Sequence, residues 1–238
     1  MDEFVLNLTQ RDALSTLERG LIAEMTAKRR TFDAKTDIVK QGSSPTHSCL
    51  MVSGYSARVN LVADGRRRIT AVHVPGDFVD LHSLLLSRMD HSVTALNTCE
   101  VALVPHNLLR QVTENHGHLS RLLWMLTAID AAIYRQWLVA SGRLSSVEQL
   151  GHFLCEMALR LRVIDKSDGK AFRLPMSQAE LGDAMGLSVV HVNRGLQQLR
   201  RANLITWRGD AVQILNFAAL QQLSEFDPTY LDLERRER

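Results

Sequence analysis

Residues 175–204 constrain this chain more than any other stretch. Ser177 is a strong helix N-cap. Glu180, three residues on, completes a capping box, in which serine oxygen and glutamate each satisfy an orphaned backbone N–H. Ala179, Leu181, Ala184 and Met185 give this helix its apolar contacts. Gly186 ends it, because glycine accepts the left-handed conformation. Ser188 caps a second helix. Its Val192, Leu196 and Leu199 fall at i, i+4 and i+7, an inward stripe. Val189, Val190, Asn193, Arg194 and Gln197 fall on the other side. Exposed valines beside Asn and Arg suit a helix that enters the DNA major groove, where Arg and Asn read base edges and apolar groups meet thymine methyls. Pattern alone leaves a second reading open, a helical hairpin that only packs. The next residues favour the first. Leu204 to Trp207 reads as a strand, Arg208 to Ala211 as a turn, and Val212 to Ile214 as a return strand. That order predicts a winged helix-turn-helix. The expected DNA contacts are Ser177, Gln178, Ser188, Val189, Val190, His191, Asn193, Arg194, Gln197 and Arg208.

The chain has 238 residues, comfortable for two domains. Apolar residues make up 45% and charged residues 23%, an ordinary globular composition. The net charge of +2 does not itself point to nucleic acid, so any such charge is local. Arg194, Arg200, Arg201 and Arg208 supply a cluster. Cys49, Cys99 and Cys155 are odd in number and widely spaced, which argues against a disulfide framework and against a cysteine-only metal centre within one chain. There is no N-terminal signal pattern and no run of about 18 apolar residues. A cytoplasmic protein that does not enter membranes is expected.

Residues 1–30 read as one or two short helices, with Leu6, Leu8, Leu14, Leu17, Leu21 and Met25 apolar. From 31 to 105 short strands dominate. They are Thr31–Ala34, Asp37–Lys40, Cys49–Val52, Ala57–Val62, Arg67–Val74, Ser92–Leu96 and Glu100–Val104, with Asp64-Gly65 a hairpin turn. Their spacing predicts a β-sandwich or barrel. Between the strands, Asp80 to Leu86 reads as a short helix. It could aim backbone N–H groups at a polar ligand. The alternative is an apolar plug, which Leu84, Leu85 and Leu86 favour.

Leu119, Leu122, Leu126, Ile129, Ile133, Gln136 and Ala140 alternate at spacings of three and four, a heptad seam. The helix from 118 to 140 is about 33 Å long at 1.5 Å per residue. A second stripe of Leu123, Tyr134, Trp137 and Leu138 can face the chain's own barrel. Two apolar faces need two partners, so a homodimer through the seam is expected; burial within one domain is the alternative. Ser141-Gly142-Arg143 reads as a hinge. Ser145 and Glu148 form another capping box, opening a helix from about 146 to 163. Asn216 caps a further helix, Phe226, Tyr230 and Leu231 can pack back on the core, and residues 234–238 read as a loose tail. The expected fold is α+β. Residues 1–117 form an N-terminal effector-type jelly-roll β-barrel. Residues 118–141 form a dimerisation helix, and 142–238 a winged helix-turn-helix DNA-binding domain.

Val74-Pro75-Gly76-Asp77-Phe78, the long helix, Gly142-Arg143, and the Gly186-Leu187-Ser188, Val192-Asn193-Arg194 and Leu204-Ile205 segments together resemble the CRP/FNR family of bacterial transcription regulators. The resemblance covers about residues 15–225. It implies a cyclic-nucleotide-binding-like barrel, a homodimer on pseudo-palindromic double-stranded DNA, contact with RNA polymerase, and no enzymatic activity or catalytic residues. A ligand-sensing barrel whose degenerate helix-turn-helix docks a partner protein remains a rival reading.

The resemblance also locates departures. Cyclic-AMP-binding members use a Glu for the ribose where this chain has Leu81, in Asp80-Leu81-His82-Ser83. They use an Arg-Ser pair for the phosphate where this chain has His91-Ser92, and a Thr-Ser pair for the adenine where it has Ala128-Ile129. A charge-assisted hydrogen bond contributes about 1.5–3 kcal/mol. Cyclic AMP is therefore not the expected effector. The expected effector pocket is Leu81, His82, Ser83, His91, Ser92, Ala128 and Ile129. Residues 1–48 hold no cysteine, which argues against the iron–sulfur cluster of oxygen-sensing members. Haem remains open through His82 or His91. No other cofactor and no metal site are expected, since the barrel offers no H-x-H ligand pair of the cupin enzymes and His116-Gly117-His118 lies outside it. In the recognition helix Val189-Val190 replace the Arg-Glu of relatives that read TGTGA-type sites, so the DNA preference should differ.

Overall fold

The structure, a computed structural model, describes residues 2–61 and 65–238. Asp64 of the expected turn and Val62 of the expected strand lie outside the described residues. Two helices lead the chain, α1 (Glu3–Thr9) and α2 (Thr16–Met25), the second opened by a Ser15/Glu18 capping box. Seven strands follow: β1 (Arg29–Phe32), β2 (Asp37–Val39), β3 (His47–Ser53), β4 (Ser56–Leu61), β5 (Arg67–His73), β6 (Ser92–Ala95) and β7 (Cys99–Pro105). They form two antiparallel sheets, ordered β1-β7-β3 and β2-β6-β4-β5. The sheets enclose a core of Phe32, Val39, Met51, Val79, Val93 and Val101, all buried.

Gly76 explains the Pro-Gly-Asp-Phe turn. Its φ is +87°, and a Cβ there would lie 2.8 Å from the backbone oxygen of Glu3. Only glycine lets α1 approach the barrel so closely. A 3-10 turn at Leu81–Leu84 lies between β5 and β6. It is not the expected apolar plug. Leu85 is 86% exposed and Leu86 is exposed, and of the three consecutive leucines Leu84 alone packs inward, beside Leu81.

Helix α3 (His106–Asn115), absent from the sequence reading, links the barrel to α4 (Gly117–Arg143). Helix α4 continues through the expected hinge. Gly142 stays helical, and the break is at Leu144, whose backbone is extended. The heptad seam also needs correction. Leu119 and Leu122 are fully buried in a cluster with Phe4, Leu8, Ile22, Leu109 and Val112. Ile133 is buried in the C-terminal core, while Leu126, Ile129 and Gln136 are half-buried. The chain covers that stripe itself: α1, α2 and α3 pack over its start at Leu119 and Leu122, and the C-terminal core takes Ile133. The uncovered face carries Trp124, Tyr134 and Leu138, at 76%, 44% and 62% exposure. With Thr127 and Ala131, also exposed, it repeats at spacings of three and four.

Helix α5 (Ser146–Val163) starts at the Ser145/Glu148 capping box and is buried on nearly all sides, as a central helix must be. The small sheet β8-β10-β9 uses β8 (Ala171–Arg173), β9 (Ile205–Arg208) and β10 (Ala211–Ile214). Helices α6 (Gln178–Met185) and α7 (Val189–Arg201) lie between β8 and β9. Helix α8 (Phe217–Leu223) follows β10. Phe226 and Leu231 are buried, and Tyr230 stacks on His152. The tail is tied down rather than loose. The Arg238 backbone N–H donates to Asp12 at 2.8 Å, and that of Arg236 to the Arg11 carbonyl at 3.0 Å. The core of the C-terminal domain runs on into Tyr55, Ile69 and Val72 of the barrel. Helix α6 packs on β5, with an Arg67–Asp183 ion pair between them. Among the described residues no helix is long and apolar enough to cross a membrane.

Candidate functional site

The helix-turn-helix is built by local chemistry. Ser177 Oγ accepts from the Glu180 N–H at 3.2 Å, and Glu180 Oε2 accepts from the Ser177 N–H at 2.8 Å. Gly186 takes φ +70°, the left-handed value that ends α6. Ser188 Oγ then accepts from the His191 N–H at 3.3 Å and caps α7. Val192, Leu196 and Leu199 are 0–2% exposed and pin α7 to the core. Gly195 allows close packing, since a Cβ there would lie 2.6 Å from Leu150 Cδ1.

The outer face of α7 is open. Val189 and Val190 are 49% and 66% exposed, and His191, Asn193, Arg194, Gln197 and Arg201 are exposed. Val190, Arg194, Gln197 and Arg201 form one row at i, i+4, i+7 and i+11, and α7 carries no acidic side chain. Arg201, counted only in the basic cluster from sequence, belongs to this face. Two other residues are committed locally. Asn193 Nδ2 donates to Gln178 Oε1 at 3.3 Å, joining the two helices, and Arg200 Nη2 donates to the Trp207 carbonyl at 3.0 Å, joining α7 to the wing. Ser177, Ser188 and Arg208 are exposed on the cap, the turn and the wing.

The expected effector pocket is only partly assembled. His82 and His91 come together, with ring centroids 5.3 Å apart. Leu81 and His82 line a crevice with Arg58, Phe78, Leu126 and Asp130. Arg58 Nη2 is 2.8 Å from Asp130 Oδ2, which ties β4 to α4. Ser83 is buried away from this crevice, 3.2 Å from His106 Nε2. Ser92 Oγ accepts from the Gln41 N–H at 3.0 Å, toward β2. Ala128 is exposed on the outer side of α4, in a groove with Trp124 and the C-terminal tail, and Ile129 reaches both sides. Ser83, Ser92 and Ala128 thus drop out, because burial, strand alternation and helix rotation turn them elsewhere.

Burial dominates the electrostatics here. It holds His82 down at about 4 and His91 below its ordinary value, with Arg58 adding to both. His73, fully buried, is held low for the same reasons. Burial raises Asp80 to about 7 against the hydrogen bond it accepts from the Cys49 N–H. Sharing Phe78, Leu126 and Asp130 with the crevice is a cavity of about 60 Å³, lined also by Asn7, Arg11, His73, Asp77 and Arg160. That is room for a few waters.

Residues 148–223 match the family model for the Crp-like helix-turn-helix domain, and residues 29–116 the cyclic nucleotide-binding domain. The nitrogen fixation regulation protein FixK of Rhizobium meliloti is 28% identical, over 81% of this chain and 85% of that protein. The transcriptional activator protein Anr of Pseudomonas aeruginosa is 26% identical, over 89% of this chain and 86% of its own length. The solved structure of FixK2 from Bradyrhizobium japonicum superposes with a TM-score of 0.74 at 26% identity, covering 82% of this chain and 96% of that one.

Proposed function

Because this chain belongs to the CRP/FNR family of bacterial transcription regulators, and so is a DNA-binding regulator rather than an enzyme, we propose that it works as a homodimer on a pseudo-palindromic site. The carrying observation is the outer face of α7: a row of Val190, Arg194, Gln197 and Arg201 without an acidic residue, above a fully buried inner stripe. Arg194 reads a guanine edge or grips a phosphate, and Val189 and Val190 meet thymine methyls. The wing places Arg208 on the backbone. The dimer forms through Trp124, Thr127, Ala131, Tyr134 and Leu138, the apolar face of α4 that the chain leaves open. Two α7 helices related by that axis meet half-sites about 34 Å apart.

Relatives named as activators support contact with RNA polymerase, and a cytoplasmic setting follows from that work. The side chains at Leu81 and His91 support the reading that cyclic AMP is not the effector, since neither supplies the acid for the ribose nor the guanidinium for the phosphate. Gel-shift titration on a selected site tests the proposal. With about four phosphate contacts per subunit, log affinity falls with log salt at a slope of about −7. A salt-independent association, or one of a single subunit per site, would contradict it.

A further inference from the structure

The described residues contain one place where three metal-ligating side chains converge. Ligand atoms of His82, Asp90 and His91 all lie within 4.8 Å of one another. The family resemblance puts His82 and His91 in one pocket, but the sequence does not signal an ion site with Asp90, because the histidines are nine residues apart and not in an H-x-H pair. Topology brings them together: His82 is on the 3-10 turn after β5, and His91 immediately precedes β6.

We propose that His82 and His91, with Asp90, form a binding site for a divalent first-row transition-metal ion at the mouth of the barrel.

Two buried nitrogens carry the argument. His82 Nε2 and His91 Nε2 are both shielded from solvent and have no hydrogen-bond partner. His91 is only 3% exposed, so its free nitrogen is not simply turned to bulk water. A buried polar atom left unpaired is costly, and a metal ion is one of the few groups that satisfies two imidazole lone pairs together. The orientation of His91 is already set. Its Nδ1 lies 2.7 Å from Asp90 Oδ1, so Nδ1 donates to the carboxylate and Nε2 presents its lone pair. That is the carboxylate–histidine arrangement which fixes a ligand's tautomer and raises its basicity. Imidazole nitrogens as the ligands suit zinc, iron(II), nickel(II) and copper(II) rather than calcium or magnesium.

Charge is the obvious objection, because Arg58 is close. Its guanidinium is already paired with Asp130 at 2.8 Å, and Asp90 adds a second carboxylate, so acids outnumber this base. His73 is a third imidazole with an unpaired buried Nε2, but it is no member of the convergent group, and its Nδ1 is 3.1 Å from Ser56 Oγ. An ion held by His82 and His91 would cross-link the 3-10 turn to β6. It would do so beside Asp130 of α4, with positions left open for water or a small ligand. The site deepens the regulatory reading above, on which it rests for its purpose but not for its chemistry.

The test uses the untagged full chain, stripped with a chelator and titrated with Co(II) and then Zn(II). One Co(II) per chain is expected, with visible d–d absorption that Zn(II) abolishes. His82→Ala and His91→Ala should each remove the absorption. Asp90→Asn should weaken binding about 10–100-fold. His47→Ala, on β3 and outside the cluster, should leave it intact. X-ray absorption of the wild-type zinc form guards against variants that fail to fold, and should show nitrogen neighbours at about 2.0–2.1 Å. No stoichiometric binding, a signal that survives both histidine substitutions, or a zinc shell without nitrogen overturns the site. DNA affinity is measured alongside. A chain that binds DNA but no metal loses only this inference, and one that binds metal but no DNA loses only the regulatory reading.

Discussion

Arg160 Nη2 of α5 lies 2.6 Å from Asp77 Oδ2, the acid of the Pro-Gly-Asp-Phe turn. The same guanidinium donates to the Val72 carbonyl at 3.0 Å and to Glu156 Oε1 at 3.1 Å. Glu156 Oε2 accepts from Trp137 Nε1 of α4 at 2.9 Å and from the Tyr230 hydroxyl at 2.8 Å. One buried network thus joins the barrel, the long helix and the DNA-binding domain. It borders the cavity lined by His73, Asp77 and Arg160.

Arg160→Met should therefore lower stability by about 3–5 kcal/mol, because Asp77 and Glu156 would stay buried without their partner. Asp77→Asn keeps an oxygen for the guanidinium and should cost less, about 1–3 kcal/mol. Urea unfolding of both variants checks the order. Equal losses would mean that packing, not charge, sets the effect.

A second junction predicts pH dependence. His118 at the start of α4 is 2.5 Å from Glu18 Oε1 and 3.1 Å from Asp12 Oδ2. Burial opposes its charge, but the hydrogen bonds it donates to Glu18 and Asp12 outweigh it and hold its pKa above 6.5. Burial likewise opposes the two acids' charges, and hydrogen bonds from Ser15, His118 and backbone N–H groups hold them below 4.5 and 3.8. The histidine's contribution is full below its unfolded pKa and fades as pH rises through the raised folded value. The acids' contribution is full above their unfolded pKa values and fades as pH falls through the lowered ones. The stability difference between wild type and His118→Gln should be largest between about pH 4.5 and 6.5. A difference that does not vary with pH would contradict this.

The open face of α4 predicts a dimer that charge destroys. Trp124→Glu with Leu138→Glu should give a monomer in sedimentation, without loss of the folded monomer's helix content, since both side chains are solvent-exposed in the single chain. Substituting Leu119 or Leu122 should instead unfold the chain, at about 2–5 kcal/mol for Leu→Ala. A dimer that survives the double substitution would place the axis elsewhere.

These contrasts show what could be read in advance. The caps at Ser145, Ser177, Ser188 and Asn216 lie at the start of the helices they predict, because capping depends on residues three apart. The α4 seam is ambiguous in sequence because the helix has two apolar stripes of similar period, and spacing cannot say which one the chain covers. Only the placement of α1, α2, α3 and the C-terminal core decides that, and α3 has just Leu109 and Val112 as buried apolar residues to betray it. Gly142 looked like a break by its local preference, yet an exposed helical glycine costs only about 1 kcal/mol and the helix absorbs it. The outer face of α7 was legible, apart from Arg201. For the His82–Asp90–His91 cluster, the resemblance names both histidines as pocket residues, but not Asp90 or their convergence, which depends on how a turn and a strand meet.

The most direct test of the account is selection of bound sequences from random DNA with wild type and Arg194→Ala. Wild type should enrich a two-fold symmetric motif with half-site centres about 10–10.5 base pairs apart. Arg194→Ala should lose about 1–3 kcal/mol of affinity and relax the preference at one position in each half-site. Failure to enrich any motif, or an unchanged motif and affinity in the variant, would contradict the assignment of α7 as the reading helix.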